Sequence, residues 1–220
     1  MAAVSQAALH VDVSLWSADL CDLRGEIARM APHADSFHLD VADGRFAPSL
    51  LFFPDLVAAI RRETSLPLHV HLMVEAPREW VRPFLEAGAD ALTVHGEAPG
   101  AEEALAEVRA AGRRPGIALR LETPVELVLR FAGCVDTVLL LGTEIGVKGC
   151  RLAPEACPRI EAVADLLGER RAAVRLVADG GIRRETVPLL RAAGADSVVP
   201  GSLAFGAADA AALWGWMKSL

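Results

Sequence analysis

The four cysteines of this chain, Cys21, Cys134, Cys150 and Cys157, never fall in a CxxC spacing. In so long and apolar a chain they are expected as free thiols, buried as small hydrophobes, and not as a disulfide framework. No apolar run approaches the ~18 to 20 residues that a membrane span requires. The opening residues, Met1 to Gln6, lack the basic start and apolar stretch of a signal peptide, so a cytoplasmic, soluble protein is expected. A formal net charge of −7 argues against a nucleic-acid partner, because backbone phosphates would be repelled. Low-complexity tracts and linker-like segments are missing too. So are a Ser-His-Asp order, a Cys-His pairing and a GxGxxG loop, which removes three common chemistries.

What remains is a strong alternation of short and long patterns. The 220 residues, 53% of them apolar, suit one large domain, near the low end for a (β/α)₈ barrel. Strands are expected at Leu9–Ser14, Ser36–Val41, Leu68–Leu72, Ala91–His95, Gly116–Leu119, Thr137–Leu141, Arg175–Asp179 and Ser197–Val199. Helical patterns fall between them, at Leu20–Met30, Pro54–Arg62, Trp80–Ala87, Glu102–Ala111, Val125–Phe131, Glu155–Leu167, Glu185–Ala193 and Ala208–Lys218. Three of these helices run into Ala-Gly (Gly88, Gly112, Gly194), a left-handed cap that turns the chain back to the sheet. Eight such units with right-handed crossovers favour a closed α/β barrel, a single (β/α)₈ domain over residues 1–220 with 1–7 as a short tail.

Four residues close separate strands: His38, Asp40, His71 and Asp179. His38 and Asp40 have the i, i+2 spacing of one strand face. In a parallel barrel all four would meet at the C-terminal mouth, where βα loops gather. Two imidazoles and two carboxylates suit a divalent cation, and such an ion would relieve the cost of burying the carboxylates. Carboxylates on opposite sides of a metal suit abstraction of a proton from one face of a carbon and its return to the other, through an enediolate. His10-Val11-Asp12 repeats the His-x-Asp pattern but lies early in its strand, toward the bottom or outside of a barrel. His69 lies one layer below His71 and is expected to pack or to hydrogen-bond a ligand. His95 ends the fourth strand, where it could line the mouth.

An anion site is expected at the far end of the mouth. Asp179-Gly180-Gly181-Ile182 follows the seventh strand and Gly201-Ser202 the eighth, and backbone N–H groups of those two loops commonly hold phosphate. The loop Gly142–Gly149 has the length and glycines, Gly146 and Gly149 among them, of a mobile lid. Its Lys148 is either a solvated lysine or a charge aimed at phosphate.

Taken together, Ser14-Leu-Trp-Ser-Ala-Asp19, His38-Leu-Asp-Val-Ala-Asp-Gly44, Phe46-Ala-Pro48, Leu66-Pro-Leu-His-Val-His-Leu-Met73, Thr93-Val-His95, Asp179-Gly-Gly-Ile182 and Gly201-Ser-Leu-Ala-Phe-Gly206 resemble the ribulose-phosphate 3-epimerase family over nearly the whole chain. The resemblance implies a (β/α)₈ barrel isomerase that inverts C3 of a ketopentose phosphate, D-ribulose 5-phosphate to D-xylulose 5-phosphate. It implies one divalent metal, zinc first and Mn, Fe or Co as alternatives, held by His38, Asp40, His71 and Asp179. Asp40 and Asp179 would be the acid–base pair. Substrate contacts would come from Ser14, His71 and Met73, from Gly146, Lys148 and Gly149 of the lid, and from Gly180, Gly181, Gly201 and Ser202 at the phosphate.

The sequence departs from the family at several places. Ala42 and Leu141 stand where methionines are usual, Arg120 where Asn is common, and His69 where Asp is usual. Glu144-Ile-Gly-Val-Lys-Gly-Cys150 replaces the common lid sequence. These changes keep open a different ketose phosphate, such as allulose 6-phosphate, and a non-catalytic sugar-phosphate-binding barrel. The related barrel synthases and decarboxylases use an Asp-x-Lys-x-x-Asp array, and Asp40-Val-Ala-Asp43 has no lysine. Phe46 and Leu51-Phe52-Phe53 could pack against a second copy of the chain.

Overall fold

Along most strands both faces are buried, the condition for a parallel sheet covered by helices outside and filled inside. The computed structural model describes residues 8–220, so the expected tail over 1–7 lies outside the described residues. The strands are β1 (His10–Ser14), β2 (Ser36–Ala42), β3 (Leu68–Met73), β4 (Ala91–His95), β5 (Arg114–Leu119), β6 (Thr137–Leu141), β7 (Arg175–Asp179) and β8 (Ser197–Val199). Each pairs in parallel with the next, and β8 closes onto β1 in a barrel. The (β/α)₈ architecture expected from the sequence is the one observed.

The helices are α1 (Leu23–Met30), α2 (Pro54–Glu63), α3 (Pro77–Glu86), α4 (Ala101–Ala110), α5 (Ala156–Leu167), α6 (Val187–Ala192), α7 (Ser202–Phe205) and α8 (Ala210–Lys218). Proline opens α2 and α3, where its missing N–H costs nothing and its fixed φ suits the first turn. The caps at Gly88, Gly112 and Gly194 have φ of 103°, 69° and 108°, as the repeated Ala-Gly phrase requires. Val125–Arg130 winds as a 3₁₀ helix directly after Pro124, and short helical segments not among the expected helices form at Leu15–Ser17, Gly168–Ala173 and Ser202–Phe205, the last being α7.

Strand side chains divide by parity. Val11 and Val13, Phe37, Leu39 and Val41, and Leu68, Val70 and Leu72 join helix residues such as Ile27, Val57 and Phe84 in the main apolar core. The alternate residues face the barrel interior. On the β5–β8 side these are mostly small or aliphatic, Ala118, Leu139, Leu141, Val177 and Val199, with Asp179 at the end of β7. On the β1–β4 side they are polar and buried: Asp12, Ser14, His38, Asp40, His69, His71, Thr93 and His95. The polar wall of β1–β4 faces Asp179 of β7 across the barrel mouth.

One expectation fails at the surface. Cys21 is exposed and Cys134, Cys150 and Cys157 are half-buried, although all four are free thiols as expected. Phe52 belongs to the core while Phe53 beside it is 57% exposed, so the apolar stretch after β2 is not one continuous surface. Among the described residues no helix is long and apolar enough to cross a membrane.

Candidate metal and acid–base centre

Register brings the four expected ligands together. Asp40 of β2 pairs with His71 of β3, and Asp179 ends β7 beside Leu141 of β6. His38 Nε2 lies 3.3 Å from Asp40 Oδ1 and 3.8 Å from Asp179 Oδ2. Nδ1 of His71 lies 3.4 Å and 3.6 Å from the same two oxygens. One donor atom from each residue falls within 4.8 Å of the others. Neither His38 Nε2 nor His71 Nδ1 has a hydrogen-bond partner, though both are buried. Orphaned buried nitrogens are costly unless something else meets them. Two unpartnered imidazole nitrogens and two carboxylate oxygens around one small space fit a divalent cation of the Zn, Mn, Fe or Co kind.

Charge at the centre is unevenly distributed. Burial raises the Asp179 carboxyl to about 7, reinforced by the negative charge of Asp40. Burial also acts on Asp40, but the charge of His38 and the imidazole nitrogens beside it hold that carboxyl well below the usual range. Burial would lower His38; Asp40 and Asp12 together raise it well above an ordinary imidazole. Burial pushes His71 down to about 3, helped by His95 and His38. Two neighbouring carboxyl groups with pKa values driven apart are the arrangement that divides acid and base roles at neutral pH.

Behind His38 stands Asp12. It was expected toward the bottom or the outside of the barrel; it lies at the bottom, on the inner face among the first residues of the strands, and is 2% exposed. Its Oδ2 accepts from His38 Nδ1 at 3.2 Å and from His69 Nδ1 at 2.6 Å, while Ser36 donates to Oδ1 at 2.7 Å. His69 in turn pairs with Thr93 Oγ1 at 2.7 Å, the hydrogen-bonding role expected of it. His95 does not line the mouth. It stacks on His71 with ring centroids 5.0 Å apart and meets His71 Nε2 at 2.9 Å.

Above the carboxylates opens a cavity of about 350 Å³. Asp40, Asp179, Ser14, Met73, Gly146, Lys148, Gly149, Gly180, Gly181, Gly201 and Ser202 all line it, whereas His38 and His71 lie behind, fully buried. The Ser14 hydroxyl donates to Asp40 Oδ2 at 2.7 Å. Gly181 has φ of 69°, and a Cβ there would come within 2.6 Å of Leu152 Cα, so this turn admits glycine alone. Ser49 donates to the Gly146 carbonyl at 2.9 Å and Lys148 to the Trp16 carbonyl at 2.9 Å, pinning the lid on two sides. Leu141 lines the cavity, but Ala42 packs instead against Ala47 and Met73.

Three residues near the centre were given no role from the sequence. Asp12 is one, and its signal was the shared parity with Ser14. Glu97, two residues beyond His95, meets His95 Nδ1 through Oε2 at 3.2 Å. Arg183, directly after Gly-Gly-Ile, lines the cavity and donates to Ser202 Oγ at 3.2 Å, adding a guanidinium at the expected anion end.

A closed parallel barrel with buried His₂Asp₂ donors beneath a glycine-rimmed cavity defines a barrel enzyme working at the C-terminal face of its strands. The profile of the ribulose-phosphate 3-epimerase family matches residues 10–205. The ribulose-phosphate 3-epimerase of Bacillus subtilis is 36% identical over 204 residues, 91% of this chain and 94% of that protein. The cytoplasmic isoform from Oryza sativa subsp. japonica is 34% identical over 209 residues, 92% of this chain and 90% of its own. The chain belongs to the ribulose-phosphate 3-epimerase family and is an isomerase. Among solved structures, 3-keto-L-gulonate-6-phosphate decarboxylase from Vibrio cholerae aligns with a TM-score of 0.74 at 14% identity, covering 97% of this chain and 98% of that one. At that identity the likeness is one of fold.

Proposed function

We propose that the chain interconverts D-ribulose 5-phosphate and D-xylulose 5-phosphate by two-base proton transfer at C3, with one divalent cation held by His38, Asp40, His71 and Asp179. The observation that carries this reading is the pairing of Asp40 and Asp179 around the two orphaned imidazole nitrogens, on one cavity floor. When bound, the ion supplies positive charge beside the substrate oxygens that become negative in the enediolate.

The chain's own residues do the rest. Asp40 takes the C3 proton and Asp179 delivers one to the opposite face, both carboxyl groups lining the cavity. For the reverse reaction the roles exchange. Ser14 donates to Asp40 Oδ2 and so fixes the carboxylate's orientation. Gly180, Gly181, Gly201 and Ser202, with Arg183 beside them, bind the phosphate end, and the pinned lid keeps water from the intermediate. The relatives' shared activity supports the pentose phosphate as substrate. Zinc is the ion assigned, since two imidazoles with two carboxylates suit it well.

Comparing kcat/KM of the metal-loaded protein across ketose phosphates tests the substrate. Ribulose 5-phosphate should lead the panel by at least tenfold. Negligible turnover of it beside good turnover of allulose 6-phosphate would transfer the chemistry to that sugar.

A further inference from the structure

Beyond the ligands, the wall behind His71 forms a hydrogen-bonded chain whose proton positions are dictated from its far end. Glu97 Oε1 accepts from the backbone N–H of Arg120 at 2.8 Å and from the hydroxyl of Thr123. Its other oxygen, Oε2, faces His95 Nδ1 at 3.2 Å. An ionised carboxylate only accepts, so His95 must carry its proton on Nδ1. A neutral imidazole has one proton, which leaves His95 Nε2 as an acceptor. The 2.9 Å contact between the two Nε2 atoms then requires the proton to sit on His71. His71 has spent its one proton, and Nδ1, the nitrogen aimed between Asp40 and Asp179, is bare.

The rings cannot easily turn away from this arrangement. His95 is fully buried, stacks on His71 at 25° and packs against Phe46 with centroids 4.9 Å apart. Arg120 packs on Phe46 in turn, with its guanidinium carbon 3.9 Å from the ring centroid. Arg159 holds the carbonyls of Arg120 and Thr123 at 2.7 Å each, which fixes the two donors to Glu97.

We propose that Glu97 is a positioning residue that acts through His95 to keep the pocket-facing nitrogen of His71 free of a proton and available to a cation. The inference rests on the metal-site reading above and adds a residue two links removed from the ion.

Glu97→Gln tests it with almost no change of shape. The backbone N–H of Arg120 can only donate, so the amide oxygen stays at the Oε1 position and the NH₂ faces His95 Nδ1. His95 must then accept there, donate from Nε2, and force the proton of His71 onto Nδ1, inside the pocket. Imidazole ¹⁵N NMR on metal-free protein reads the tautomers directly. Wild type should show His71 protonated at Nε2 and the variant at Nδ1. Chelator competition with Zn²⁺ should show affinity weakened by about 10- to 100-fold in the variant. A folded variant with the wild-type tautomer, or with wild-type Zn²⁺ affinity, overturns the proposal. If Glu97→Gln does not fold, the wild-type spectrum still decides, because a proton on His71 Nδ1 there overturns it. The tautomer reading needs neither metal nor turnover, so a protein that failed to epimerise would leave it standing.

Discussion

A single β1 carboxylate, Asp12, aims an imidazole from the next strand: its Oδ2 accepts from His38 Nδ1 at 3.2 Å, leaving His38 Nε2 toward the pocket. The same oxygen holds His69 at 2.6 Å, so His38 is steadied on two sides. Asp12→Ala strips both imidazoles of an acceptor. Divalent-metal affinity should fall by about 10- to 100-fold, and leaving the buried N–H groups unpaired should cost about 1–3 kcal/mol of stability. Asp12→Asn keeps an acceptor oxygen and should fall between. Metal content after dialysis and urea unfolding check both, and undiminished affinity in Asp12→Ala would remove the orienting role.

Asp179 lines the cavity floor with its carboxyl raised to about 7. The isosteric Asp179→Asn can neither take nor deliver a proton, so kcat should drop by at least about 10²-fold. A coupled assay for product xylulose 5-phosphate measures this. Activity within a few-fold of wild type would rule out its acid–base part.

Lys148 is exposed and bonds across the mouth to the Trp16 carbonyl at 2.9 Å. This is a latch on the lid, and it also sets an ammonium beside the cavity. Lys148→Ala should raise KM for phosphorylated ketoses by roughly 3- to 10-fold, about the worth of one charged hydrogen bond, with kcat little changed. An unchanged KM would make the side chain an ordinary surface lysine.

His10 marks the opposite end of the barrel. It meets Ser36 Oγ at 2.8 Å, and burial, reinforced by Arg175 and Lys218, outweighs Asp12 and Asp35 to lower its pKa to about 4. An unfolded imidazole titrates near pH ~6.5. Between those values the folded protein binds fewer protons than the unfolded chain. Stability from this group is therefore fully present above about pH 6.5 and is lost as pH falls toward about 4, on the order of 2 kcal/mol by pH ~4.5. Urea unfolding at the two pH values should show a smaller acid loss in His10→Gln than in wild type. Equal losses would contradict the assignment.

Much of this was legible in the sequence. The strands end where glycine, proline or a cap follows, which places His38, Asp40, His71 and Asp179 at a common mouth from the sequence alone. Parity within β2 gave His38 and Asp40 one face. Asp12 was legible as a residue of the barrel's bottom but not of its inner face, because barrel strands are buried on both sides and hydrophobicity alone does not tell inner from outer residues. Its parity with Ser14 was the available clue. Glu97 and Arg183 lie in loops, where reach depends on how Arg120, Thr123 and Ser202 arrive from other units.

The most direct test of the account is to incubate the metal-loaded protein with D-ribulose 5-phosphate in D₂O and follow C3 by NMR. Xylulose 5-phosphate should appear with deuterium at C3 in wild type, and neither product nor label in Asp179→Asn. Absence of both product and C3 exchange in the metal-loaded wild-type protein would contradict two-base epimerisation at this centre.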